Sequence, residues 1–245
     1  MKYMLIFLCS DLRNIRRDSL LLYLLILPWG LVLLMRSLLP VMAEWLAVTY
    51  QFALPPYYPL LLSVTIFLQL PMMFGLVFGL LLLDERDEGI LKALQVTPAS
   101  VEKYIFYRMA VTIILSVIFL LGTLPLTGLI KIPPLGEMLF LAFLTGLMAV
   151  CILLALVSFA SNKLEGLALM KAMGIFLLGP FAAYFSPGKG EIFWGILPTY
   201  WPVKAFWLIT TGEKGRLYLV VGFLYFMVLL YLLLGKLQHK IKSFQ

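Results

Sequence analysis

The sequence predicts an all-α integral membrane protein with six membrane-spanning helices. Two observations carry that prediction. Of 245 residues, 63% are apolar and only 13% are charged, whereas a soluble domain is nearer half apolar and a quarter charged. A chain of this length folded in water could not hide that much apolar surface. The apolar residues also gather into six stretches, each near the roughly 20 residues that a helix needs to cross a bilayer core of about 30 Å. The same composition excludes disorder, which needs low hydrophobicity.

Residues 1–18 come first. Met1, Met4, Leu5, Leu8, Leu12 and Ile15 recur at helical spacing, while Lys2, Asp11, Arg13, Asn14, Arg16 and Arg17 are polar. That pattern predicts a helix lying in the interface with its basic side toward lipid head groups. The opening apolar run has no small-residue cleavage site and is followed by arginines, so it is expected to be retained.

Six spans follow, at roughly 19–39, 59–83, 104–130, 137–160, 168–185 and 216–235. Pro28, Pro71, Pro125 and Pro180 fall inside or near the ends of four of them. Membrane helices tolerate proline as a kink, because neighbours re-satisfy the freed carbonyls. The fifth span is short and runs into 186–215, an outer loop rich in aromatics, Gly and Pro that is expected to form short helices dipping into the interface. Tyr57, Tyr58, Trp194, Tyr200, Trp201 and Trp207 fit an interfacial aromatic belt. No internal repeat or low-complexity segment is present, so residues 1–245 read as one membrane domain.

Basic residues set the orientation. With the N-terminus inside, segments 1–18, 84–108, 161–171 and 236–245 hold 13 of the 19 Lys and Arg. The outer side holds Arg36, which is expected to snorkel to the surface, Lys131 and four residues within 186–216. Both termini are expected in the cytoplasm of a cell-membrane protein. The net charge of +7 then reflects cytoplasmic loops facing membrane lipids, and no nucleic-acid partner is expected. Cys9 and Cys151 are too few and too far apart to suggest a disulfide framework.

All twelve acids fall in loops or at span ends, and His239 lies in the C-terminal tail. Ion-coupled carriers hold an ionisable residue within the membrane, so ion-driven transport is disfavoured. The chain has no metal-ligand cluster, His-Glu-x-x-His or Gly-x-Ser-x-Gly motif. Gly188-Lys189-Gly190 lacks the upstream glycine and the Ser/Thr of a phosphate loop. The chain is therefore not expected to be an enzyme or to hold a cofactor, and energy for uphill movement must come from another chain.

Attention falls on the segment between spans two and three, 84–98. Asp84, Glu85, Asp87 and Glu88 lead it and suit a helix N-terminus. Leu91 and Leu94, with Ile90, supply a small apolar face. Pro98 ends one helix, and Ser100 opens the next as a cap. Two readings stand: a docking element, or a solvated loop that only fixes topology.

These residues resemble the permease subunits of type-2 ABC exporters. In that family an acidic-Gly-hydrophobic stretch ending in Thr-Pro follows the second span and runs to a basic residue in the third. Glu85, Glu88, Gly89, Leu91, Leu94, Thr97, Pro98 and Arg108 occupy those places. Ile90 and Lys92 stand where the family commonly has Thr and Glu, and Arg108 replaces a usual Lys. The basic N-terminal helix with Arg17-Asp18, the six-span count and the Leu197-Pro198 to Phe206 stretch extend the resemblance over most of the chain.

The resemblance implies that 84–98 forms a coupling helix docked on a separate cytoplasmic ABC ATPase, which holds ATP and Mg. It also implies a pair of permease halves, either two copies or one copy with a homologous permease. Substrate would pass along span two, where Thr65, Gln69, Met72, Leu76 and Gly79 follow at i+3/i+4 and Met73 adjoins Met72. Methionines make adaptable surfaces, and Gly75-x-x-x-Gly79 permits close helix approach. Ordinary helix packing is the better account of any one of these residues taken singly, and the stripe as a whole carries the reading as path lining. Relatives export antibiotics, peptides, lipids, glycans or sodium; an acid-free apolar interior suits a hydrophobic or amphipathic, drug-like compound. A membrane interaction or immunity protein without transport activity is the competing reading.

Overall fold

The computed structural model describes residues 16, 19–95, 101–186 and 188–242. The expected interfacial helix 1–18 lies outside the described residues except for Arg16, which is helical and exposed. The described residues contain six helical stretches long and apolar enough to cross a bilayer: Leu22–Tyr50, Pro55–Asp87, Val101–Thr127, Leu135–Phe159, Lys163–Phe185 and Arg216–Gln238. The protein is an all-α, multi-pass membrane protein.

Two helices form the centre. Spans two and four are each 83% buried along their apolar windows, against 17–28% for the other four. They lie close because Gly75 removes the side chain that would separate them. A Cβ there would stand 2.7 Å from Ile152 Cβ and 2.8 Å from the Ala149 carbonyl. Gly146 of span four does the same for span three, where a Cβ would stand 3.1 Å from Ile113 Cα. The remaining spans pack around this pair and keep their outer faces apolar, as a lipid or protein environment requires.

Five spans begin and end within a few residues of expectation; span one does not. Its helix runs Ser19–Tyr50, through Pro28 and Pro40. Those 32 residues are about 48 Å long at 1.5 Å per residue, well beyond a bilayer core of about 30 Å. Arg36 sits level with the end of span three, because its Nη1 donates to the Leu126 carbonyl in that span's last turn at 3.2 Å. Pro40 fits a helical φ, and helix-forming residues follow it, so the helix continues past the end of its neighbour. Gln51, at φ +51°, ends it.

Span two is not a uniform helix. A 3₁₀ turn (Pro55–Tyr57), an α-turn (Tyr58–Leu62) and a π-helical stretch (Ser63–Leu68) precede the α-helix Gln69–Asp87. Pro71 offers no N–H to the preceding turn, and the widened π-stretch is the local adjustment.

The 186–215 segment forms a 3₁₀ helix, Lys189–Ile196, and an α-helix, Tyr200–Thr210. The second packs into the protein core along one face. Val203, Ala205 and Phe206 are fully buried, the Phe67 and Phe206 rings lie 4.2 Å apart, and Trp207 Nε1 donates to the Pro59 carbonyl at 3.3 Å. Tyr200 and Trp207, expected in the aromatic belt, are therefore core residues. Lys204 and Glu191 pair at 2.6 Å, and the Tyr200 hydroxyl donates to the same carboxylate at 3.3 Å. Burial, reinforced by Glu191, pushes the Tyr200 hydroxyl pKa well up, which keeps it a donor.

Candidate functional site

The richest polar cluster lies where span two ends. The four acids expected at a helix N-terminus instead straddle a C-terminus. Span two continues helically through Asp87, and Gly89, at φ +76°, makes the turn. An L side chain is strained there, and glycine is not. The separate short helix is Ile90–Gln95. Acids in a final helical turn oppose the helix dipole, and two of them meet cations: Glu85 meets Arg108 and Asp84 meets Lys163.

Glu85 points inward. It is 6% exposed, and Arg108 of span three is fully buried beside it. Arg108 Nη2 donates to Glu85 Oε1, and the Tyr104 hydroxyl donates to the same oxygen at 2.6 Å. The guanidinium lies 5.1 Å from the Tyr104 ring centroid and 5.9 Å from that of Phe78. Arg108 and Tyr104 are one helical turn apart, so both reach one carboxylate. Glu85 was grouped by its motif with a docking face; its carboxylate is instead an internal tie between spans two and three.

Its neighbours tie span two to spans four and five. Arg86 Nη2 donates to the Ala160 carbonyl at 2.9 Å, just beyond the end of span four, where helix carbonyls lack internal partners. Asp84 pairs with Lys163 at 2.7 Å. Asp87 accepts from the Lys163 backbone N–H at 3.3 Å, placing negative charge at the start of span five, where the dipole favours it. Asn162 caps that helix by accepting from the Glu165 N–H at 2.9 Å, and Glu165 accepts from the Ser161 N–H at 2.7 Å. Spans two, three, four and five are thus joined within one helical turn of each other, immediately before the Ile90–Gln95 helix.

On that helix Ile90 is exposed, Ala93 is exposed, and Leu91 is half-buried against the main core. Glu88 is exposed at the turn. The Leu94 side chain, Thr97 and Pro98 lie outside the described residues. Tyr104, Arg86 and Lys163 were not singled out by the sequence. The available signal was an arginine eight residues into an apolar span, because a charge inside a membrane helix demands a partner.

The stripe on span two separates into two faces. Thr65, Gln69, Met72 and Leu76 are half-buried, on a helix whose other residues around them are mostly buried. They form one partly open line at i+4, i+3 and i+4. Met73 is 3% exposed and faces the core, so it stands apart from that line. Gly79 is closed off as well, since a Cβ there would meet Leu156 Cδ1 at 2.8 Å.

Comparison with known proteins gives two similar results. A family model described as "Fluoroquinolones export permease protein Rv2686c-like" matches residues 11–234. The fluoroquinolones export permease proteins MT2760 and Rv2686c, from Mycobacterium tuberculosis strains CDC 1551 / Oshkosh and ATCC 25618 / H37Rv, are each 32% identical to this chain over 232 residues. Those alignments cover 94% of this chain and 92% of each relative. No solved structure matches the chain significantly.

Proposed function

The chain belongs to the Rv2686c-like family of fluoroquinolone export permeases, type-2 ABC permeases, and from that premise we propose how it exports. It is the membrane half of an exporter for drug-like amphipathic compounds, fluoroquinolones foremost. ATP and Mg are held by a separate ABC ATPase, not by this chain. The permease works as a pair, with a second copy or a homologous permease, and both its termini face the cytoplasm.

One observation carries the coupling mechanism: four spans are tied together at the base of the Ile90–Gln95 helix. A push on that helix moves Gly89 and the end of span two. Through Glu85 the movement reaches Arg108 of span three; through Arg86 and Asp84 it reaches the turn between spans four and five. A buried ion pair transmits displacement because parting it leaves an uncompensated charge away from water, which costs about 3–5 kcal/mol. Residues 84–98 then serve as the docking and transmission segment, with Glu88 and Ile90 toward the ATPase and Glu85 toward the membrane helices. The half-open line Thr65, Gln69, Met72 and Leu76 leads to that segment on the same helix and supports its reading as path lining.

Co-expression with the cognate ATPase tests this reading. The two should purify together, and inverted membrane vesicles carrying both should accumulate norfloxacin only when ATP is supplied. ATP-independent accumulation, or purification of the permease with no ATPase under gentle washing, would contradict it.

A further inference from the structure

Between spans two, four, five and six lies a cavity of about 310 Å³. Met72, Met148, Met170, Met173, Phe176 and Tyr225 line it, together with segment 196–199. We propose that this cavity is the drug-binding site of the permease, and that it takes an uncharged aromatic amphiphile of two or three rings. The assignment rests on the drug-export reading above and adds the place and the chemistry.

Size decides first. Ligand pockets run from about 300 to 1,000 Å³, and this one stands at the lower end. A folded peptide, a glycan or a two-chain lipid does not fit; a small ring system does.

Charge decides next. Among the described residues no Asp, Glu, Lys or Arg lines the cavity, so a ligand with net charge would lose its hydration and gain no partner there. The uncharged form of the ligand is the form admitted. Four methionines offer polarizable thioethers to a ring edge, and the Phe176 and Tyr225 rings offer faces for offset stacking.

Polarity fixes orientation. The Thr199 hydroxyl donates to the Phe176 carbonyl at 2.7 Å, and the Tyr225 hydroxyl donates to the Ile196 carbonyl. Both protons are spent on the backbone, so both oxygens act toward a ligand as acceptors. They suit a ligand carrying an N–H or O–H at its end nearest segment 196–199. Met72 also belongs to the half-open line on span two, so the cavity joins that line directly.

The test uses the permease–ATPase complex in lipid nanodiscs, with norfloxacin as the probe. Met173→Trp fills the cavity and should weaken norfloxacin binding at least tenfold. Ile175→Trp, in the same stretch of span five but exposed and outside the lining, should leave binding unchanged. In a Cys9→Ser/Cys151→Ser background, norfloxacin should slow maleimide modification of Ala155→Cys, a half-buried position of the lining; this second measurement needs no filling variant. Unchanged binding in Met173→Trp, or no protection of the thiol at position 155, in a complex that still exports norfloxacin would overturn the cavity and leave the export reading standing. Protection that follows lipid content and not norfloxacin would assign the cavity to acyl chains and likewise overturn it. A wild-type complex that binds no norfloxacin would overturn both.

Discussion

Arg108 of span three donates to Glu85 of span two at a point where Glu85 is 6% exposed and Arg108 is fully buried. The pair stands between the membrane helices and the short Ile90–Gln95 helix, so a side chain that could have faced a partner protein instead joins two spans. Glu85→Gln keeps a hydrogen-bond acceptor but removes the negative charge opposite the buried guanidinium, and should lower stability by about 3–5 kcal/mol. The double variant Glu85→Gln/Arg108→Met should recover much of that loss. Thermal unfolding in detergent checks this; a loss under about 1 kcal/mol for Glu85→Gln would remove the tie.

The Asp84–Lys163 bridge is a different object, since both side chains are about a third exposed. Lys163→Ala should change stability by no more than about 1 kcal/mol, and 0.5 M salt should erase the difference. Arg86→Ala should do more, because it strips the Ala160 carbonyl of its donor where span four ends.

Helix packing gives a third prediction. Gly75→Ala places a Cβ against Ile152 and the Ala149 carbonyl and should destabilise by about 1–3 kcal/mol. Gly136→Ala, with open space around it near the start of span four, should be neutral or slightly stabilising. Equal melting temperatures for the two variants would contradict the close approach of spans two and four.

How far the sequence led differs between fold and site. Six spans were legible because twenty apolar residues in a row have few other uses, and proline did not disturb the count. Span one overran its expected end because Pro40 is compatible with helical φ and the helix continues through it to Tyr50. The Tyr200–Thr210 helix read as interfacial because aromatic residues mark both belts and cores. Only the partner surface, here the π-stretch of span two, decides between them. At the candidate site, the acids of 84–88 were visible, but their directions were not. A run of charges at a helix end points to several sides, and Lys163, Ala160 and Arg108 come from distant parts of the chain.

Orientation rests on basic residues and has its own check. In cysteine-free permease, a single cysteine at position 190 should be labelled by an impermeant maleimide from outside intact cells. Single cysteines at 92 and 240 should be labelled only after the membrane is opened. Labelling at 92 in intact cells would invert the topology and remove the short helix from the ATPase side.

The coupling of the 84–98 segment to a separate ATPase is tested most directly by norfloxacin-stimulated ATP hydrolysis in the purified complex, compared between wild type, Leu94→Asp and Lys92→Ala. If Leu94 docks on the ATPase as proposed, Leu94→Asp places a charge in that apolar contact, a burial costing several kcal/mol. It should lose the ATPase on washing and abolish stimulation, while the permease still inserts and pairs. Lys92→Ala should retain both the ATPase and most of the stimulation. Full stimulation in Leu94→Asp together with its loss in Lys92→Ala would contradict the account.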